Sequence, residues 1–324
     1  MSRTSDLTVA APNGELSGYL PGSGVTLGAG PGRAFSLTIG AAARLGDVVG
    51  GKLTIVATSI SAGRVDTGNE ALELRATNGD LTVRGPVTGG TVALGASGRT
   101  SLNDVTAKGG LTLTGGTIGF GDVSGTTIDI ASAGALSGGR VTSGGAIGVK
   151  GASIQLAGLS GGTVSALATG GDLTLSGPVS GTDVTLGATA NATLGQVTAG
   201  GALSLNGGSV GFGDLAGTSV TIASAGAVNG TSIKATSAAS VNGATVGLGT
   251  VSGGNVGLSA TSGDLRVSGP VTGNDVTLGA TGNAALGQVT AGGALSLSGG
   301  SVGFGDLVGA SVTLTSAGRS TALR

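Results

Sequence analysis

Gly171-Asp172-Leu173-Thr174-Leu175, closed by Gly177-Pro178-Val179, is the phrase on which the fold turns. It stands at Gly79-Asp80-Leu81-Thr82-Val83 with Gly85-Pro86-Val87, and again at Gly263-Asp264-Leu265-Arg266-Val267 with Gly269-Pro270-Val271. Asp80, Asp172 and Asp264 are 92 residues apart, and Phe120, Phe212 and Phe304 of a Gly-Phe-Gly-Asp motif keep the same interval. Two copies without insertion or deletion, and a third running to Arg324, indicate tandem duplication. The chain therefore divides into residues 79–170, 171–262 and 263–324 as long repeats, the last one partial. Residues 1–78 are a degenerate version of the same pattern, in one continuous solenoid. Leu45-Gly46-Asp47-Val48 followed by Leu53-Thr54-Ile55 matches Phe120-Gly121-Asp122-Val123 followed by Ile128-Asp129-Ile130.

A shorter beat runs inside each long repeat. Apolar-polar-apolar triplets flanked by Gly include Leu173-Thr174-Leu175, Val184-Thr185-Leu186, Leu203-Ser204-Leu205 and Val220-Thr221-Ile222. On one side the markers Leu203, Val220, Val256, Val276 and Leu295 step by 17, 36, 20 and 19 residues, the 36 reading as two turns. Five turns in 92 residues average about 18.4 residues each. Secondary strands such as Leu265-Arg266-Val267 are expected about half a turn away from these.

A triplet of this kind puts both apolar side chains on one face of a strand. So short a strand cannot survive alone, and its backbone must pair with a neighbour. Coiling the chain with a period of about 18 residues pairs each strand with its copy one turn on, in a parallel ladder spaced about 4.8 Å. The flanking glycines are expected to supply positive φ at tight corners. The fold predicted is all-β, a single-stranded parallel β-helix (β-solenoid) of 17 to 18 turns forming an elongated rod. The general preference for right-handed crossovers makes it right-handed.

Composition narrows the chemistry. There are 71 Gly, 6 Pro, no Cys, no His and no Trp, and the formal net charge is −1. Collagen would need Gly at every third position, and Gly this frequent opposes helix by about 1 kcal/mol per residue. Without His or Cys there is no Ser-His-Asp triad, thiol nucleophile, or thiolate or imidazole metal site. The near-neutral charge gives no footprint for nucleic acid. Met1-Ser2-Arg3-Thr4-Ser5-Asp6 lacks the apolar run of a signal peptide, so any export signal is expected outside this chain.

The Gly-rich run Gly200-Gly201-Ala202-Leu203-Ser204-Leu205-Asn206-Gly207-Gly208-Ser209-Val210 resembles the short repeats of filamentous-haemagglutinin-type adhesins. The resemblance extends from about Leu53 to Leu314. Autotransporter passenger domains share the composition. The resemblance implies a right-handed parallel β-helix in a bacterial exoprotein, located at the cell surface or outside the cell and secreted through an outer-membrane partner. Pro12-Asn13-Gly14 matches part of an Asn-Pro-Asn-Gly motif of that family's secretion domain, and is also a generic turn. The final stretch, Ala317 to Arg324, is read as leaving the repeat register.

The recurrent aspartates Asp80, Asp172 and Asp264, and Asp122, Asp214 and Asp306, are the first candidates for a site. Equivalent members lie five turns apart, too far to share a metal ion, and each is read as a turn residue bonded to local backbone N–H groups. The complete repeat 171–262 holds only Asp172, Asp183, Asp214 and Lys234 as charged groups, which form no catalytic cluster. No catalytic, cofactor-binding or metal-binding residue is therefore assigned, and no enzyme activity or cofactor is expected.

Phe120, Phe212 and Phe304 are read as corner plugs rather than sugar platforms. Outward pairs such as Asp183/Thr185, Ala202/Ser204 and Ser219/Thr221 are too mixed for an ice-binding lattice. Thirteen of the 31 charged residues lie in the first 80, among them Arg64, Asp66, Glu70, Glu73 and Arg75, which marks the place for a distinct surface or partner contact. The function expected is that of an adhesin shaft facing a host or neighbouring-cell surface. The alternatives are a glycan-binding module or a self-assembling matrix or fibre component with end-to-end association.

Overall fold

The computed structural model describes residues 8–11, 16–17, 34–40 and 42–322. Pro12-Asn13-Gly14 lies outside them. The described residues are all-β with parallel strands and no helix, a β-solenoid of about 16 turns of about 18 residues each. That is fewer than the 17 to 18 turns expected from length alone. One reason lies near the start, where Thr8 pairs with Ser36, a step of 28 residues, whereas Ser36 to Thr54 takes 18. Two compact units divide the chain, Met1–Gly162 and Thr163–Arg324.

In the first unit each full turn contributes to three ladders, not two. The first ladder stacks Lys52–Ala57, Leu72–Ala76, Val92–Ala96, Gly110–Gly115, Thr127–Ser132 and Ile147–Gly151. Its register aligns Leu53, Leu72, Val92, Leu111, Ile128 and Ile147 in one inward column, and Ile55, Leu74, Leu94, Leu113, Ile130 and Val149 in a second. All twelve side chains are buried. Alternation sends the intervening residues outward, so the core is built of aliphatic columns one side chain deep per rung.

The second ladder carries the column Ile60, Leu81, Thr100, Ile118, Leu136 and Ile154. Thr100 is the one hydroxyl in this column and is fully buried. Its Oγ1 donates to the Thr114 carbonyl at 3.0 Å, which offsets the cost of placing a polar group among Leu and Ile. The third ladder adds to the two expected from the sequence pattern. Val48, Val65, Val87, Val105, Val123, Val141 and Leu159 form its single large inward column. The second inward residue of its strands is small, as in Val87–Gly89, Val105–Ala107 and Val123–Gly125. The apolar-polar-apolar signature is therefore muted there.

The second unit repeats the scheme. Its first ladder aligns Val164, Val184, Leu203, Val220, Ala239, Val256, Val276, Leu295 and Val312. The 36-residue step from Val220 to Val256 is thus two turns, divided at Ala239, where Ala stands in place of a larger marker. Ser320–Ala322 pairs with Val302–Phe304 at a step of 18, so the register continues through Ala322, contrary to the expected break. Val312 and Leu314 belong to the last rung of the first ladder and are 48% and 38% exposed.

The glycines have a different cause from the one expected. Among the described residues only Gly68 lies in the left-handed region, with φ of 63°. Most of the others sit where one turn closely approaches the next. A Cβ on Gly138 or Gly230 would collide with the ring of Phe120 or Phe212, one turn earlier. Those two rings are buried, as the corner-plug reading requires. In the third copy the residue stacked on Phe304 is Ala322, and Phe304 is only half-buried.

Candidate functional site

Five of the six recurrent aspartates bond between turns. Asp80 Oδ1 accepts the Arg99 N–H at 2.7 Å, Asp122 that of Arg140 at 2.7 Å, Asp172 that of Asn191 at 3.0 Å and Asp264 that of Asn283 at 2.7 Å. Asp104, Asp183 and Asp275 do the same with Asp122, Ala202 and Ala294. Asp214 Oδ1 accepts the Ser232 hydroxyl at 2.5 Å. The partners lie 18 or 19 residues on, which corrects the expectation of a local turn bond. Each carboxylate staples its corner to the corner stacked upon it, and a charged acceptor makes this bond stronger than a neutral one.

The staple also fixes a glycine. In six of these seven backbone staples the residue before the bonded N–H is a glycine (Gly98, Gly121, Gly139, Gly201, Gly282 or Gly293), and a Cβ there would run into the carboxylate. Before Asn191 it is Ala190, and the bond to Asp172 is the longest of the set at 3.0 Å. On Gly201 it would stand 2.5 Å from Asp183 Oδ1. Gly201→Ala should therefore destabilise the second unit by about 1–3 kcal/mol, as overpacking does. Most of that penalty should vanish when Asp183→Ala is added, a coupling that a double-mutant cycle in urea would read directly. Additive penalties would show that the carboxylate does not explain the glycine.

The charge-rich stretch forms a corner and a face. At the corner, Arg64 Nη2 lies 3.6 Å from Asp66 Oδ2, and Asp66 Oδ1 accepts the Gly68 N–H at 2.9 Å. Thr67 is buried and donates to the Glu70 carbonyl at 2.8 Å, closing a tight turn with Gly68 at its first central position. Lys108, from two turns on, reaches Asn69 Oδ1. A hollow of about 410 Å³ opens beside this turn over Gly50 and Gly51, with Asp66 and Glu70 on its wall.

A hydrogen bond from the Thr88 side chain, the Gly68 N–H, and the Arg64 and Lys108 charges together hold the Asp66 carboxyl below its usual pKa, against a smaller opposing effect of burial. A depressed folded-state pKa contributes stability that is present above the unfolded value and is lost as pH falls through the folded one. Acidification below about pH 4 should thus destabilise the native chain more than Asp66→Asn, as urea midpoints at pH 7 and pH 3 would show. An equal loss in both proteins would contradict this role for Asp66.

On the first ladder of the first unit, Glu73 and Arg75 point outward from one rung, Ala93 and Gly95 from the next, and Thr112 and Thr114 from the one after. The small middle pair leaves a second hollow, of about 320 Å³. Both hollows fall on residues the charge distribution singled out, but Asn69, Ala93, Lys108, Thr112 and Thr114 were not foreseen. The internal copies offered the missing signal, because Ala93 corresponds to Thr185 and Thr277 at the 92-residue interval.

The third ladder presents one outward residue per rung, and Thr88, Thr106, Ser124 and Thr142 form a file of hydroxyls there. Ser124 Oγ donates to Thr106 Oγ1 at 3.3 Å. The file is one hydroxyl wide, unlike the paired rows an ice-binding face uses. Among the described residues no three carboxylates are grouped to hold a metal ion.

These features define a class by architecture, a three-sided β-solenoid with carboxylate staples between turns. Comparison with family models, curated proteins and solved structures found no match to this chain.

Proposed function

We propose that the chain is the structural shaft of a bacterial surface or secreted adhesin, acting through its extended repetitive surface rather than through catalysis. The observation that carries this reading is the stacking itself. The turns place most of their large apolar residues on inward columns and present mainly short side chains outward, so the repeat chiefly lengthens the coil. The similarity of Gly200–Val210 to filamentous-haemagglutinin-type repeats supports an exported protein with an outer-membrane secretion partner, displayed towards host or neighbouring cells. In this reading no residue has a catalytic role and no cofactor is needed.

A glycan array probed with the full chain distinguishes shaft from lectin. A shaft gives no selective signal, whereas reproducible binding to one glycan class would replace this reading with a binding module. Sedimentation across a concentration series tests the fibre alternative, for which mass should grow with concentration.

A further inference from the structure

The hollow on the first ladder differs between copies of the repeat in a way the core does not. At the 92-residue interval Glu73, Arg75 and Ala93 become Ser165, Leu167 and Thr185, while Gly95 remains Gly187. The registers are equivalent, with Gly95 paired to Arg75 and Gly187 paired to Leu167. In the second unit Leu167 lies over the glycine, its Cδ1 3.0 Å from where a Cβ on Gly187 would be. It stays 46% exposed, an apolar plug on an otherwise polar face. In the first unit the three atoms nearest that position on Gly95 all belong to Thr114, at 2.5 to 3.9 Å. The equivalent glycine is thus covered by an apolar side chain in one copy and by the Thr114 hydroxyl in the other, where the open hollow is rimmed by opposite charges.

We propose that this open hollow binds a short zwitterionic peptide, with Glu73 holding the ammonium end and Arg75 the carboxylate. Glu73 and Arg75 are two residues apart on one strand, so their side chains emerge about 6.6–6.8 Å apart. An extended dipeptide spans a similar length. The opposite rim supplies the Thr112 and Thr114 hydroxyls, which can serve the peptide group as donor or acceptor. Ala93 and Gly95 form a floor without side-chain bulk. A volume of about 320 Å³ suits a small ligand. A neutral sugar fits less well, because no aromatic side chain lines the hollow and the charge pair would go unused.

The test is a titration of the ¹⁵N-labelled full chain with Ala-Ala, with acetyl-Ala-Ala-amide and with sucrose, followed by amide shifts. Ala-Ala should give saturable shifts confined to the rungs of Glu73, Ala93 and Thr112, with a Kd on the order of 1 mM. The uncharged peptide and sucrose should bind at least about tenfold more weakly, a loss of about 1.4 kcal/mol. Arg75→Leu and Ala93→Thr should each weaken Ala-Ala by a similar factor. Both variants adopt residues that the second unit already carries in the same register, so folding is preserved. The absence of saturable shifts at tens of millimolar, equal affinity for the blocked peptide or sucrose, or unchanged affinity in Arg75→Leu would overturn the proposal.

Discussion

Replacing Thr112 by proline is expected to cost the first unit about 3 kcal/mol or more, whereas Thr112→Ala should cost less than about 0.5 kcal/mol. Thr112 is exposed, so its side chain contributes little to packing. Its backbone, however, lies between two rungs, aligned with Ala93 on one side and Asp129 on the other. Proline removes the N–H that one of those rungs needs, and a parallel ladder buried on its inner face has no water to replace it. Far-UV circular dichroism in urea should show the proline variant unfolding at a much lower midpoint than the alanine variant. Similar midpoints would mean that the backbone at Thr112 is not paired on both sides.

The second large effect concerns the inward columns. Ile130 is fully buried between Leu113 and Val149, and Ile130→Asp would place an unpaired carboxylate there. The charged form is so poorly solvated in such a place that the group either takes up a proton or opens the rung. The expected loss is about 4 kcal/mol or more, within the range reserved for buried charge. The adjacent Asp129 already carries a carboxylate on the outward face, where it is exposed. Asp129→Ala should therefore leave the urea midpoint almost unchanged. A mild Ile130→Asp variant would show that the alternation between the two faces has been assigned the wrong way round.

The repeat period was legible because duplication kept Asp80, Asp172 and Asp264 in step, and the first ladder was legible because Leu203 and Leu205 are large on both inward positions. The third ladder was hidden by chemistry. Val197–Ala199 offers one large inward residue and one small one, so its period-two signal falls below that of Leu203-Ser204-Leu205. Ala239 concealed a whole rung in the same way.

The glycines could be counted in sequence but not explained. Gly201 is fixed by Asp183, and Gly230 by Phe212, each from the turn before, and such causes appear only once the register is known. The aspartate staples were misread for the same reason, since a bond from Asp172 to Asn191 links residues 19 apart in sequence that are neighbours only after coiling. The hollow above Ala93 was the least visible feature. It depends on what is missing from one rung, and on charged residues that look like an ordinary solvated face when read along the chain.

Cross-linking across one rung tests the stacking most directly, and the natural absence of cysteine leaves no competing thiol. Thr185 is aligned with Ser204, and Ser204 with Thr221, on the outward face of the second unit. Neighbouring rungs are about 4.8 Å apart, within the Cα separation a disulfide accepts, while two rungs span about 9.6 Å and exceed it. The T185C/S204C chain should oxidise to an intramolecular disulfide, and the T185C/T221C chain should remain reduced under the same mild oxidant. Failure of the first pair, or equally fast closure of the second, would contradict a coil whose turns lie in register one upon the next.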